Sequence, residues 1–188
     1  MKKIYADSIS QAKSYYDGST DVIHDLSHSE RVIDNAKDIA GHLDYKDLDF
    51  LELCIYWHDA ARAQGVDKGH EEAGAILAHD DLLNRGADEE LAKRVYEAIR
   101  FHKSSDKPNT IEGKIIRDAD KLEIYSPVRW QKCLQAGWND YYLKELQLTI
   151  GNMPKYPGVF TYEYTKQLYK KRLKEFQNFL ESVKSKLG

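Results

Sequence analysis

An acid and an imidazole stand side by side inside an apolar run, and whatever this chain folds into must accommodate them. His58 and Asp59 lie in LELCIYWHDAARAQG, beside Leu51, Leu53, Cys54, Ile55, Tyr56 and Trp57. Water is scarce among such neighbours. A buried carboxylate next to a buried imidazole is costly unless something compensates both. A divalent metal would do so. Two further ligands of the right kind exist, His28 in DLSHSERV and Asp120 in RDADKLE.

The rest of the chain reads as helix. Glycine and proline are few and cluster at Gly65–Gly69, near Pro108 and across 151–158; between these clusters the apolar period is helical, not alternating. Ser27 predicts a cap for a helix over about 28–43, with Glu30 placed for a capping box and Val32, Ala36, Ile39, Ala40 and Leu43 as its apolar stripe. The spacing predicts further helices over about 47–62, 70–84, 88–102, 111–124 and 126–150. A long terminal helix follows from Tyr162 to Leu187, with Tyr169, Leu173, Phe176, Leu180 and Val183 in phase. No segment reads as a strand. The expected fold class is all-α, a compact single-domain bundle over 1–188, with a core motif region of about 20–125 and C-terminal helices over 126–188.

Bulk properties narrow the partners. At 188 residues the chain can bury a substantial core. A net charge of −3 without a long basic run argues against a nucleic acid polymer as partner, because neutralising phosphates needs an excess of Lys and Arg on one face. No stretch approaches the ~18 apolar residues of a membrane span. MKKIYADSIS has no apolar core, so it does not read as a signal peptide. Cys54 and Cys133 read as small core residues of a reducing compartment. A soluble cytoplasmic monomer or homodimer is the expectation.

Helical projection sets the polar residues against the core. His58 shares a face with Leu51, Cys54 and Ile55; His102 with Leu91, Val95 and Ala98; Asp120 with Ile116 and Ala119; His28 lies at the edge of its stripe, with Arg31 close by. Such groups must be gathered or left unsatisfied. Two imidazoles and two carboxylates form a mixed N/O set that suits Mn, Fe, Co, Ni or Zn better than calcium. One divalent transition metal is expected, Mn first, with Mg also admissible. A metal there would lower the pKa of its water and polarise a phosphoryl oxygen. Arg31, Arg62 and Lys121 are nearby cations for phosphate oxygens.

These residues carry a resemblance. H28-x-x-R31-V32, H58-D59, H102 and D118-A-D120-K-L-E, in that order and with 29 and 60 residues between the outer acids and histidines, resemble the HD superfamily of metal-dependent phosphohydrolases. The resemblance implies an all-α fold, a mononuclear site of His28, His58, Asp59 and Asp120, and a small phosphorylated substrate, often a nucleotide. It implies hydrolysis of a phosphomonoester, or of a nucleoside triphosphate to monophosphate and pyrophosphate. A Gly-Tyr-Pro element after His102 and an acidic pair after His58-Asp59 are both absent, which disfavours cyclic-dinucleotide and alarmone hydrolases.

Several residues keep two readings. His24 is the rival of His28, and the cap at Ser27 favours His28. Asp118 and Asp120 are about 200° apart on a helix and do not face one metal; the resemblance selects Asp120 and leaves Asp118 for an ion pair with Arg117 or Arg94. His70 is either a surface residue or reaches substrate phosphate or a second metal. His102 ends a helix, where the dipole favours a cation, or lines the pocket as acid or phosphate ligand. In the reading adopted, His70 and His102 line the pocket and Asp59 or a neighbouring acid helps deprotonate the attacking water. His42 and His79 read as surface residues. Trp130, Trp138, Tyr141 and Tyr142 read as packing in preference to base stacking. The alternative function is a non-catalytic nucleotide- or metal-sensing module.

Overall fold

The computed structural model describes residues 2–137 and 139–187, the last three by backbone alone. It is all-α, with no strand among the described residues. The helices are α1 (Lys3–Ser14), α2 (Leu26–His42), α3 (Leu48–His58), α4 (Ala60–Ala63), α5 (His70–Asn84), α6 (Glu89–Ile99), α7 (Ile111–Glu123), α8 (Pro127–Gln135), α9 (Asp140–Asn152) and α10 (Glu163–Leu187). A 3₁₀ turn, Tyr156–Gly158, links the last two.

Side-chain caps set four of the starts. Asp88, Thr110 and Asn139 accept from Leu91, Gly113 and Tyr142 N–H, satisfying donors that a helix leaves open. Helix α2 begins two residues before the expected start. Asp25, not Ser27, accepts from His28 N–H, because the Ser27 hydroxyl is engaged by the Asp25 carboxylate and by Arg31 and Lys132. The predicted helix over 47–62 breaks at Asp59, which leaves helical geometry at φ −110°, ψ 10°. The helix expected over 126–150 is two, because Gly137 turns the chain at φ 82° and Asn139 caps a new helix. Helix α6 stops at Ile99. An N-terminal helix, α1, stands where none was expected, burying Tyr5, Ile9 and Ala12.

Two apolar cores result. The first joins α1, α2, α3, α5, α6 and the first part of α7, with Val32, Ala36, Phe50, Leu53, Trp57, Ala78, Val95 and Ile116 fully enclosed. The second joins Leu122 of α7 to α8, α9 and α10. Its centre is Tyr125, in edge-to-face contact with Tyr156, Tyr169 and Phe176 at 4.9, 5.0 and 5.6 Å. Trp130 and Tyr142 belong to this core, in line with a packing role; Tyr141 is exposed, and Trp138 lies outside the described residues. Cys54 and Cys133 are free and buried, one in each core.

Close approach of α5 to α3 depends on Gly74. A Cβ there would meet the carbonyl oxygens of Trp57 and His58 at 2.9 Å, closer than side chains tolerate. Asp118 fastens the start of α10. Its carboxylate accepts from Thr161 N–H at 2.9 Å and Tyr162 N–H at 3.1 Å, and Arg117 lies 3.7 Å away. Arg94 instead pairs with Glu112 and Asp47. No described helix is long and apolar enough to cross a membrane.

Candidate metal centre

Asp59 stands at the α3–α4 break with both carboxylate oxygens turned to imidazoles. Oδ2 lies 3.5 Å from Nε2 of His28 and of His58; Oδ1 lies 3.5 Å from Nε2 of His70 and 3.7 Å from that of His102. Asp120 closes the first side, its Oδ1 3.5 Å from His28 Nε2. Two groups of potential ligands thus meet at one carboxylate: His28, His58 and Asp120 on one side, His70 and His102 with Asp59 on the other. All are buried.

The local fold explains why every ring turns Nε2 inward. His58 ends α3 and His102 follows the end of α6, where carbonyls lack a helical partner. Their Nδ1–H groups donate to Ile55 and Ile99 carbonyls three residues back, and His70 does the same to Asp67 at the start of α5. His28 Nδ1–H donates to Glu123 Oε2 at 2.9 Å. With each Nδ1 proton engaged, each Nε2 presents a lone pair. Two of these, on His28 and His58, face each other across 3.4 Å. Nε2 of His102 is buried with no hydrogen-bond partner. Opposed lone pairs and an orphaned buried acceptor are what a cation would satisfy. The donor set therefore fits a divalent transition metal.

Electrostatics point the same way. Burial pushes His58 down to about 4, so it is neutral. Burial would raise Asp59, but His58, His102 and His28 outweigh it and hold the carboxyl well below its usual range. Burial lowers His28, and the Glu123 and Asp59 carboxylates more than reverse this, to about 9, so without metal a proton on Nε2 supplies the positive charge that a bound cation would bring in its place.

A cavity of about 230 Å³ opens on Asp59, His70, His102 and Asp120. Arg62, Lys121 and Arg129 line it. Lys121 Nζ is 2.6 Å from Asp120 Oδ2. Of the three cations singled out in the sequence, Arg31 alone does not line the cavity. Its Nε donates to Glu123 at 2.7 Å and its Nη1 to Ser27 at 2.9 Å. Glu123 is fully buried and takes a third bond from Arg129 Nη1 at 2.7 Å. Burial would raise its carboxyl, yet Arg129, His28 and Arg31 bring it down to about 2.

Sequence reasoning did not single out Glu123, Arg129 or the pocket position of His24. Glu123 follows Asp120 by three residues and so shares its face, a signal present in DADKLE. His24 is outside α2, as the capping argument required, but it is buried and lines the cavity. Its Nδ1 is 2.7 Å from Asp21 Oδ2 and its Nε2 is 3.3 Å from Arg129 Nη2.

The HD domain family matches this chain over residues 25–125, a span that holds His28, His58, Asp59, His70, His102 and Asp120. The fold resembles the crystal structure of a predicted HD superfamily hydrolase from an uncultured Thermotogales bacterium. The two share 26% identity at a TM-score of 0.67, over 97% of this chain and 92% of that one. No curated protein sequence matches significantly.

Proposed function

The chain belongs to the HD domain family, and from that premise we propose that it is a metal-dependent phosphohydrolase acting on a small phosphorylated metabolite. One observation carries the reading: a buried carboxylate ringed by four imidazole Nε2 atoms, open to a cavity lined by three cations. His28, His58, Asp120 and Asp59 Oδ2 would hold one divalent cation. His70, His102 and Asp59 Oδ1 offer a second position, beyond the mononuclear site the sequence suggests. Bound metal supplies Lewis acidity and a water of near-neutral pKa; manganese is the first candidate, on the N/O character of the donors.

The chain's own residues do the rest. Arg62, Lys121 and Arg129 face the cavity and hold phosphoryl oxygens as negative charge grows on them. Lys121 stays protonated, because Asp120 more than offsets the burial that would lower it. Asp59 and Asp120 are the nearest carboxylates to take the proton of the attacking water. Arg31 acts through Glu123, keeping the acceptor of His28 Nδ1–H in place. The cavity has room for about eight waters at ~30 Å³ each. That suffices for a phosphate, and the organic part of a larger substrate would extend through the cavity's opening.

The test is turnover by purified protein, with Mn, Co, Ni, Mg or Zn supplied in turn. Nucleoside mono- and triphosphates, cyclic nucleotides and simple phosphomonoesters are assayed separately for phosphate and pyrophosphate release. Phosphate release from monoesters, lost together with metal in His58→Ala and Asp59→Ala, is the expected result. Binding and thermal protection without product would instead identify a sensing module.

A further inference from the structure

A second cleft adjoins the cation-lined cavity. It measures about 380 Å³ and lies among the 18–21 turn after α1, the chain from Arg62 to Asp67, and Tyr141 at the start of α9. Arg62 lines both spaces. A second link is the 2.7 Å contact of Asp21, on the cleft side, with His24, on the cavity side. The two spaces adjoin at Arg62 and at the Asp21–His24 contact.

Their chemistry is opposite. The inner cavity gathers three cations around the metal ligands. The outer cleft presents the carboxylates of Asp21 and Asp67 and the hydroxyls of Ser19, Thr20 and Tyr141, with Arg62 as its one lining cation. Asp67 is 81% exposed and lies 3.3 Å from Arg62 Nη2, so part of the arginine's charge is answered from the cleft side. Asp21 is ionised: burial would raise its carboxyl, and His24, the Ile23 N–H and Arg129 together outweigh that and bring it to about 2.

Resting on the phosphohydrolase reading, we propose that this cleft is the leaving-group subsite, and that it takes a neutral or cationic, hydroxyl- or amine-bearing group while rejecting a second anion. Phosphate held in the inner cavity places the ester oxygen near Arg62. The alcohol released when water adds across the P–O bond then lies toward Ser19, Thr20 and Asp21. A second phosphate or a carboxylate in the same place would face Asp21 and Asp67. The substrate class is therefore the monoester of an amino alcohol or polyol, a nucleoside included, rather than a polyphosphate. The rival route out of the cavity runs past Glu145, Leu148 and Asn152 of α9.

A charge-matched series tests this. 2-Aminoethyl phosphate, 2-hydroxyethyl phosphate and phosphoglycolate have similar size and carry a cation, no charge and an anion on the leaving group. Wild type is expected to prefer the first two over phosphoglycolate in kcat/KM by a factor of about three to thirty. That range corresponds to unit charges ~8 Å apart at an effective dielectric between a protein surface and water. Thr20→Lys adds a cation to the cleft at an exposed position and is expected to compress or invert that preference. Glu145→Lys is the matching change on the rival route. Turnover with the same charge preference in Thr20→Lys as in wild type overturns the subsite and leaves the hydrolase reading standing, as does a preference that moves only with Glu145→Lys. No turnover of any monoester overturns the subsite; if the nucleoside triphosphates and cyclic nucleotides are not turned over either, the hydrolase reading falls as well.

Discussion

Replacing Glu123 by glutamine keeps the side chain's volume and removes its charge. The carboxylate is fully buried and is shared by His28, Arg31 and Arg129 at 2.7 to 2.9 Å. Two independent routes give its worth. Holding a carboxyl that ordinarily titrates at 4.5 down to about 2 corresponds to about 3 kcal/mol at neutral pH. Removing one member of a buried ionic group costs about 3–5 kcal/mol, because the remaining charges stay uncompensated. For a chain of 188 residues, about 3 kcal/mol shifts Tm by roughly 6–12 °C. Glutamine's amide would also turn a donor toward two guanidiniums that can only donate. The folded carboxyl is more acidic than the unfolded one. Its stabilisation is therefore full above about pH 4.5 and disappears as pH falls toward 2. Thermal melts of chelator-treated wild type and Glu123→Gln should differ by that 6–12 °C at pH 7, and the gap should narrow steadily below pH 4.5. A variant melting within about 1 °C of wild type at pH 7 would refute the argument that this carboxylate neutralises the buried cations.

Other outcomes follow from single contacts. Gly74→Ala forces a Cβ to within 2.9 Å of the Trp57 and His58 carbonyls. Overpacking of about 1–3 kcal/mol is partly offset by about 1 kcal/mol of helix propensity, so manganese affinity by titration calorimetry should fall more than melting temperature; unchanged affinity would count against the packing argument. Asp118→Ala leaves the Thr161 and Tyr162 N–H groups without their acceptor. At about 1–3 kcal/mol per group it should destabilise by roughly 2–6 kcal/mol and speed hydrogen exchange at the first turn of α10; exchange at the wild-type rate would contradict it. His102→Ala should lower bound metal by one equivalent, and Asp59→Ala should lower it by two. Elemental analysis showing equal losses would argue for a single cation.

Legibility in the sequence divides along physical lines. His28, His58 and Asp120 stand on inward helical faces, and facing is a local property that period alone reports. The choice of Asp120 over Asp118 came from resemblance, and the structure supplies its physical reason: Asp118 turns to the amides that begin α10. Arg129 owes its part to the approach of α8 to α2 across some hundred positions, which no local pattern encodes, whereas Glu123 shares the face of Asp120 three residues on. The break at Asp59 was hidden because Ala60–Ala63 continues the apolar period on its far side. The α8–α9 boundary was visible in principle, since Gly137 followed by Asn139-Asp140 is a stop and a start. So was α1, whose Tyr5, Ile9 and Ala12 repeat at helical spacing.

The two apolar cores divide the molecule's labour in a way that bears on how it could change. Residues that meet at Asp59 are braced by the first core, whereas Trp130, Tyr156 and the α9 side of the opening stand on the second. Helix α7 contributes buried residues to both, and α10 reaches the first through Tyr164 and Leu168. Substitutions across 140–160 would therefore recast which molecules are admitted while the reactive assembly keeps its shape, so that new selectivity would arise without rebuilding the chemistry.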